Sequence, residues 1–240
     1  MNLVIDGDRD GVARSEERLV ERGVVSAWVT AADARTGEPD EHDERLARAC
    51  AGSATHHVVP VLVPPTGAPG AFERARRLTE SALCRVFRLC PRSHGYPLAD
   101  WVLSPLPELC ERQRAALVLD FAPERVEWPD TVAFARRSPG VPMVVLEADV
   151  STDRAAPAAL DTAPNLLLHV GRADAVERLV GLVAIFGGHR FVWGSSESAD
   201  ADAVRQVIAD AEGMAQEDRT AILSGNAEAL QDGTYAEAFL

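Results

Sequence analysis

The chain has 240 residues, 47% of them hydrophobic, and a formal net charge of −13. That length suits one large domain over residues 1–240, and that apolar content suits a packed core, which excludes overall disorder. The acidic balance repels phosphate backbones and excludes a nucleic-acid partner, and no apolar run reaches the roughly 18 residues of a membrane span.

All 24 basic residues are arginine. With no lysine, the chain cannot form a lysine Schiff base, hold pyridoxal phosphate through lysine or build a P-loop. The opening stretch MNLVIDGDRDG has no basic segment leading into an apolar one, so no secretory leader is expected. Cys50, Cys84, Cys90 and Cys110 show no C-x-x-C spacing, which excludes a zinc ribbon. The expectation is buried thiols in a reducing cytoplasm.

In chain order, the strand candidates are LVID (3–6), VVSAWVT (24–30), HVVPVLV (57–63), RVFRLC (85–90), ALVLDF (116–121), MVVLEA (143–148), NLLLHV (165–170) and RFVWGS (190–195). Most are continuous apolar runs, as parallel strands buried on both faces require. Helical patterns lie between them. FERARRLTESAL (72–83) and WPDTVAFARR (128–137) are amphipathic, and Pro129 suits a first helical turn. ADAVERLVGLVAIFG (173–187) lines up Val176, Leu179, Val180, Val183 and Phe186. ADAVRQVIADAEG (201–213) does the same with Val204, Val207, Ile208 and Ala211, and Gly213 is placed for a C-cap.

Eight strands each followed by a helix predict an α/β fold, a single (β/α)8 TIM barrel. The rival doubly wound sheet lacks a G-x-G-x-x-G turn. Pro60, within the third strand, calls for a bulge.

Barrel chemistry sits at the C-terminal strand ends. Those ends carry Asp6 and Asp8, then Thr30, Pro64, and Arg88 followed by a loop holding His94. Asp120, Glu147 with Asp149, His169, and Ser195 with Ser196 and Glu197 complete the ring. Adjacent His56 and His57 fall at the opposite end.

LVIDGDRD resembles the opening I-D-x-H-x-H strand of the amidohydrolase superfamily, in its metal-dependent TIM-barrel hydrolase and decarboxylase branch. SPGVPMVVLEAD (138–149), APNLLLHVG (163–171), HRFVWGSSES (189–198) and AILSGNAEALQ (221–231) resemble its later segments in the same order. The resemblance implies a barrel, a divalent metal held largely by histidine and a final aspartate that handles the proton. At the corresponding positions this chain has Asp8 and Asp10 for the two first-strand histidines, Asp120 and Glu147 for the later ligands, and Ser196 for the aspartate.

Two expectations follow. In the first, the usual metal site is lost and there is no cofactor. The chain then acts as a non-catalytic or accessory subunit, partnered by a second copy or an active paralogue, or it binds a small molecule beside Asp6, Asp8, His169 and Ser196. In the second, the site is rebuilt. Asp8, Asp10, Asp120 and Glu147 would hold a hard cation such as Mg2+ or Mn2+ through oxygen, or His94, Asp120, Glu147 and Arg88 would form a metal-free acid/base set. Such an enzyme would hydrolyse a C–N or ester bond, or decarboxylate or rearrange a small acid. Cys90 is a conceivable nucleophile whose alternative is an inert buried thiol.

Overall fold

The computed structural model describes residues 2–5, 9–21, 23–24, 26–64, 70–80, 84–121, 126–146, 148, 153–172, 176–194 and 201–239. Among them run eight parallel strands: β1 (Asn2–Ile5), β2 (Ala27–Ala31), β3 (His56–Val58), β4 (Val86–Leu89), β5 (Ala116–Leu119), β6 (Met143–Val145), β7 (Leu166–Val170) and β8 (Phe191–Trp193). They pair in chain order as β1-β2-β3 and β4-β5-β6-β7-β8. A single bridge, Val61 with Arg88, joins the two groups. Helices fill the connections: α1 (Arg9–Glu21), α2 (Pro39–Ala49), α3 (Gly70–Glu80), α4 (Asp100–Leu103), α5 (Leu106–Gln113), α6 (Trp128–Arg137), α7 (Ala156–Thr162), α8 (Val176–Phe186) and α9 (Ala201–Ala209). After them come α10 (Gln216–Thr220), a π turn over Ala221–Gly225, α11 (Asn226–Asp232) and α12 (Tyr235–Phe239). This is a (β/α)8 barrel; among the described residues no ladder joins β8 back to β1.

Alternation along each strand divides the apolar residues into two layers. Phe87, Leu89, Leu117, Leu119, Val145 and Leu168 face outward and pack with helix residues such as Leu179, Val183 and Ile208. Each such aliphatic or aromatic side chain contributes roughly 1.5–3 kcal/mol by leaving water. Trp28, Val59, Val86, Val118, Val144, Leu167 and Val192 form the inner layer, closed by Leu230 and Tyr235 from the last two helices. The predicted stripe on α8 buries Leu179 and Val183, while Val207 on α9 is 40% exposed and faces solvent. Gly213, φ +85°, lies in the turn beyond Ala209 rather than capping the helix directly.

Several residues quoted for the resemblance hold backbone together. The buried Arg190 guanidinium donates to the carbonyls of Leu166, Leu160 and Ala163 at 2.8, 3.0 and 2.8 Å. Asn226 donates to Gly188 and Phe191, tying the closing helix to β8. Asn165 donates to Ala135, Ser138 and Val141. Buried carbonyls at loop ends need such donors.

Pro60 does not sit in a bulge. Arg88 N donates to Pro60 O at 2.9 Å and Leu62 N to Arg88 O at 2.9 Å. The next rung toward the strand starts would run from N–H of residue 60 to Val86 O, and proline has no N–H. The Cys84 thiol donates to Val86 O instead, at 2.9 Å, and lies 3.5 Å from Val58 O. The β3–β4 ladder therefore consists of one bridge.

Candidate functional site at the barrel mouth

Two residues beyond the inner apolar layer, on the same strand faces, the side chains become polar. Trp28 is followed by Thr30, Val86 by Arg88, Val118 by Asp120 and Leu167 by His169. All four are buried: Thr30 0%, Arg88 3%, Asp120 2% and His169 6% exposed. Thr30 turns its hydroxyl to Val59 O at 3.1 Å. The other three form the polar floor of the mouth.

Asp120 Oδ2 accepts from Arg88 Nε at 3.0 Å and Arg88 Nη2 at 2.6 Å. It also accepts from Arg35 Nε at 3.0 Å. Arg35 comes from the short turn Asp33–Arg35 that follows β2. Nothing local in the sequence marks it, because it meets Asp120 across 85 positions. Among the described residues, Arg88 Nη1 is buried without a partner. Cys90 Sγ lies 4.0 Å from Asp120 Oδ2, and burial pushes its thiol up to about 12, with Asp120 opposing the help from Arg88. It is therefore a protonated thiol at neutral pH, not a nucleophile.

Burial pulls His169 down to about 4, the positive charge of Arg88 adding to the effect and a hydrogen bond to the Gly194 backbone opposing it. Among the described residues Nε2 has no partner, and Nδ1 carries the proton toward Gly194 O. The ring is thus neutral at pH 7, with Nε2 a free acceptor. Gly171 permits this placement: a Cβ there would stand 2.8 Å from His169 Cε1.

The family described as Amidohydrolase matches residues 6–230. The chain belongs to the amidohydrolase family. A search of curated proteins finds no match. Among solved structures, an uncharacterised TIM-barrel protein from Bordetella bronchiseptica superposes with TM-score 0.69 at 15% identity, covering 94% of this chain and 83% of that one. 5-Carboxyvanillate decarboxylase from Sphingomonas paucimobilis gives 0.64 at 15% identity over 91% and 82%. 4-Oxalomesaconate hydratase from Rhodopseudomonas palustris gives 0.63 at 12% over 96% and 85%. A decarboxylase and a hydratase on one scaffold show that this fold does not name a reaction.

Of the amidohydrolase positions matched in the sequence, Asp6, Asp8, Glu147 and Ser196 lie outside the described residues, as do Asp149, Ser195 and Glu197. Asp10 belongs to α1, but its side chain lies outside the description. Asp120 and Arg88 pair directly, and the charges of both act on His169. His94 takes a different place: its Nε2 donates to Gly37 O at 3.1 Å, joining the loops after β4 and β2, and its Nδ1 is buried without a partner. No described hydrogen bond links His94 to Arg88 or Asp120. His56 and His57 begin β3, away from the mouth.

Of the four carboxylates named for a hard cation, Asp120 is the one whose side chain is described, and three N–H donors occupy its Oδ2. Among the described residues no group of three or more His, Cys, Asp or Glu is placed to hold one. A cation at Asp120 Oδ2 would displace three N–H donors and face two guanidiniums at contact distance. No helix among the described residues is long and apolar enough to cross a membrane.

Proposed function

We propose that this amidohydrolase-family barrel binds a small organic acid at its mouth and has given up metal-dependent hydrolysis. It then serves as a non-catalytic or accessory subunit or as a small-molecule binder. The supporting observation is the commitment of Asp120 to Arg88 and Arg35 while Arg88 Nη1 stays buried and, among the described residues, unpartnered. A guanidinium N–H inside a protein favours a carboxylate oxygen. The decarboxylase and hydratase that share the fold are named for acids, which favours the same ligand class. The protein partner is a second copy or an active paralogue, the unit is one domain over 1–240, and the compartment is a reducing cytoplasm, in keeping with four free cysteines.

A second reading rests on His169. Its neutral Nε2, with Arg88 near enough for its charge to act on the ring, would give a rebuilt enzyme acting on a small acid a general base and an anion-stabilising cation. Asp8, Asp10 and Glu147 would be the remaining carboxylates for Mg2+ or Mn2+ in that case.

Calorimetric titration with small aromatic and aliphatic carboxylates, on protein purified without chelator and assayed for metals, tests the proposal. Saturable binding is expected, weakened tenfold or more in Arg88→Lys, which keeps a charge opposite Asp120 but loses the fork. A stoichiometric divalent ion released by Asp120→Asn would overturn it, as would turnover of any such acid abolished by His169→Gln or His94→Ala.

A further inference from the structure

A cavity of about 690 Å3 lies at the lower end of the barrel, where the strands begin. Val58 and Val59, neighbours on β3 that point to opposite faces of the strand, both line it. Val58 packs on the helix side, against the cluster of Leu19 and Leu46, whereas Val59 belongs to the inner layer. The cavity therefore passes around the edge of β3, from the gap between α2 and α3 to the barrel interior. Its outer wall includes Ala47 and Leu78, and its inner wall Trp28 and Val86. That size and lining match sites for small organic molecules.

The charged groups around it are balanced: three carboxylates, Asp40, Asp43 and Glu44, accompany three guanidiniums, Arg74, Arg77 and Arg85. Arg74 is held by Asp40 and Asp43 at 2.6 and 3.1 Å, and Arg85 donates to Gln113 O at 2.7 Å. Asp43 is 1% exposed, and its Oδ2 accepts from Val61 N at 2.9 Å and from Arg74. Its Oδ1 has no partner among the described residues and is closed to solvent, so it offers a ligand no contact.

His57 offers one. It pairs in register with Trp28 of the inner layer, so strand alternation turns both rings to the barrel interior. Its neighbour His56 points the other way, to Ser15 of α1. Trp28 Nε1 can only donate, and it donates to Gln231 Oε1 at 3.2 Å. That bond orients the Gln231 amide, whose Nε2 donates to His57 Nδ1. An accepting Nδ1 leaves the ring proton on Nε2, and burial favours this neutral form. His57 is half-buried, and no described residue accepts from its Nε2–H. Helix α11 thus sets a cavity-lining imidazole as a neutral donor.

We propose that this cavity is a second ligand site, at the opposite end from the mouth, for an uncharged and mostly apolar small molecule whose one acceptor, such as a ketone oxygen, takes the His57 Nε2–H. Balanced charges give no net attraction to an anion or a cation. The surface of Trp28, Val59 and Val86 favours an apolar body.

The test uses the intact chain with indanone, an acceptor without a donor, and indane, the same bicycle without the oxygen, measured by calorimetry and ligand-observed NMR. Indanone is expected to bind saturably, one molecule per chain. His57→Phe, which keeps an aromatic ring but no donor, should weaken indanone about tenfold and leave indane within about twofold. In the wild type, indanone but not indane should shift the His57 Nε2 signal in nitrogen NMR of the imidazoles. Ala47→Trp, a substitution at an exposed cavity-lining position of α2, should abolish binding of indanone. His169→Gln at the mouth should leave it unchanged, which separates this site from the acid-binding one. Should His57→Phe fail to fold, the imidazole shift and the Ala47→Trp loss decide. Absence of saturable indanone binding, an equal loss for both probes in His57→Phe, a ring proton on His57 Nδ1, or binding untouched by Ala47→Trp would overturn the proposal.

Discussion

Both ends of the barrel bury a carboxylate against arginine, yet the two pairs are built differently. At the mouth, Asp120 meets Arg88, itself 3% exposed, and a second guanidinium from Arg35. At the lower end, Asp43 meets Arg74, 12% exposed and shared with the exposed Asp40. Burial there raises Asp43 to about 6 in spite of Arg74 and the Val61 N–H. A buried acid with two dedicated guanidiniums becomes part of an internal salt bridge. One that shares its arginine with the surface is held less firmly, and burial raises its pKa toward neutrality.

The largest expected effect breaks the mouth pair. Asp120→Asn leaves the Arg88 guanidinium buried without its counter-charge and should cost about 3–5 kcal/mol in urea unfolding. The double variant Arg88→Met, Asp120→Asn should recover most of that loss, because the fully buried charge is gone and Arg35, a quarter exposed, is left to solvent. A single-variant cost under about 1 kcal/mol would show that the pair is solvated after all.

Acid titration sharpens the contrast. Unfolded His169 takes a proton near 6.5 but the folded residue only near 4, so its contribution is whole above pH 6.5 and lost as pH falls toward 4. Asp43 runs the other way. The folded carboxyl protonates near 6 and the unfolded one near 3.8, so the cost of its charge above pH 6 is relieved as pH falls through that window. Each term is roughly 3 kcal/mol at full extent. Stability measured from pH 7 to 4.5 should therefore fall less steeply in His169→Gln and more steeply in Asp43→Asn. Parallel curves for both variants and wild type would contradict the assignment of either group.

The smallest effect concerns the helix that closes the lower end. Tyr235→Phe removes a hydrogen bond of 2.6 Å to His189 O and should cost about 1 kcal/mol with no change at the mouth.

The strands were legible because a parallel strand buried on both faces is written as a continuous apolar run, seen in ALVL of β5 and LLLHV of β7. The ordered motifs were legible for a related reason. Arg190, Asn226 and Asn165 bind backbone carbonyls at fixed loop geometry, so they report the scaffold and say nothing of the reaction. Arg88, Asp120 and His169 could be assigned to strand ends from spacing alone.

What those residues touch could not. Arg35 reaches Asp120 across the barrel, and Asp43 reaches Val61 and Arg74 across a helix–strand seam. Such contacts depend on how elements far apart in the chain come to lie side by side, which no local period encodes. Pro60 shows the same division: the missing N–H is plain in the sequence, but the single bridge between β3 and β4 appears only once the strands are assembled. The sequence by itself determined the barrel and the strand ends that Arg88, Asp120 and His169 occupy. Tertiary structure alone decided which carboxylate is locked by arginine and which is left with an unpaired oxygen.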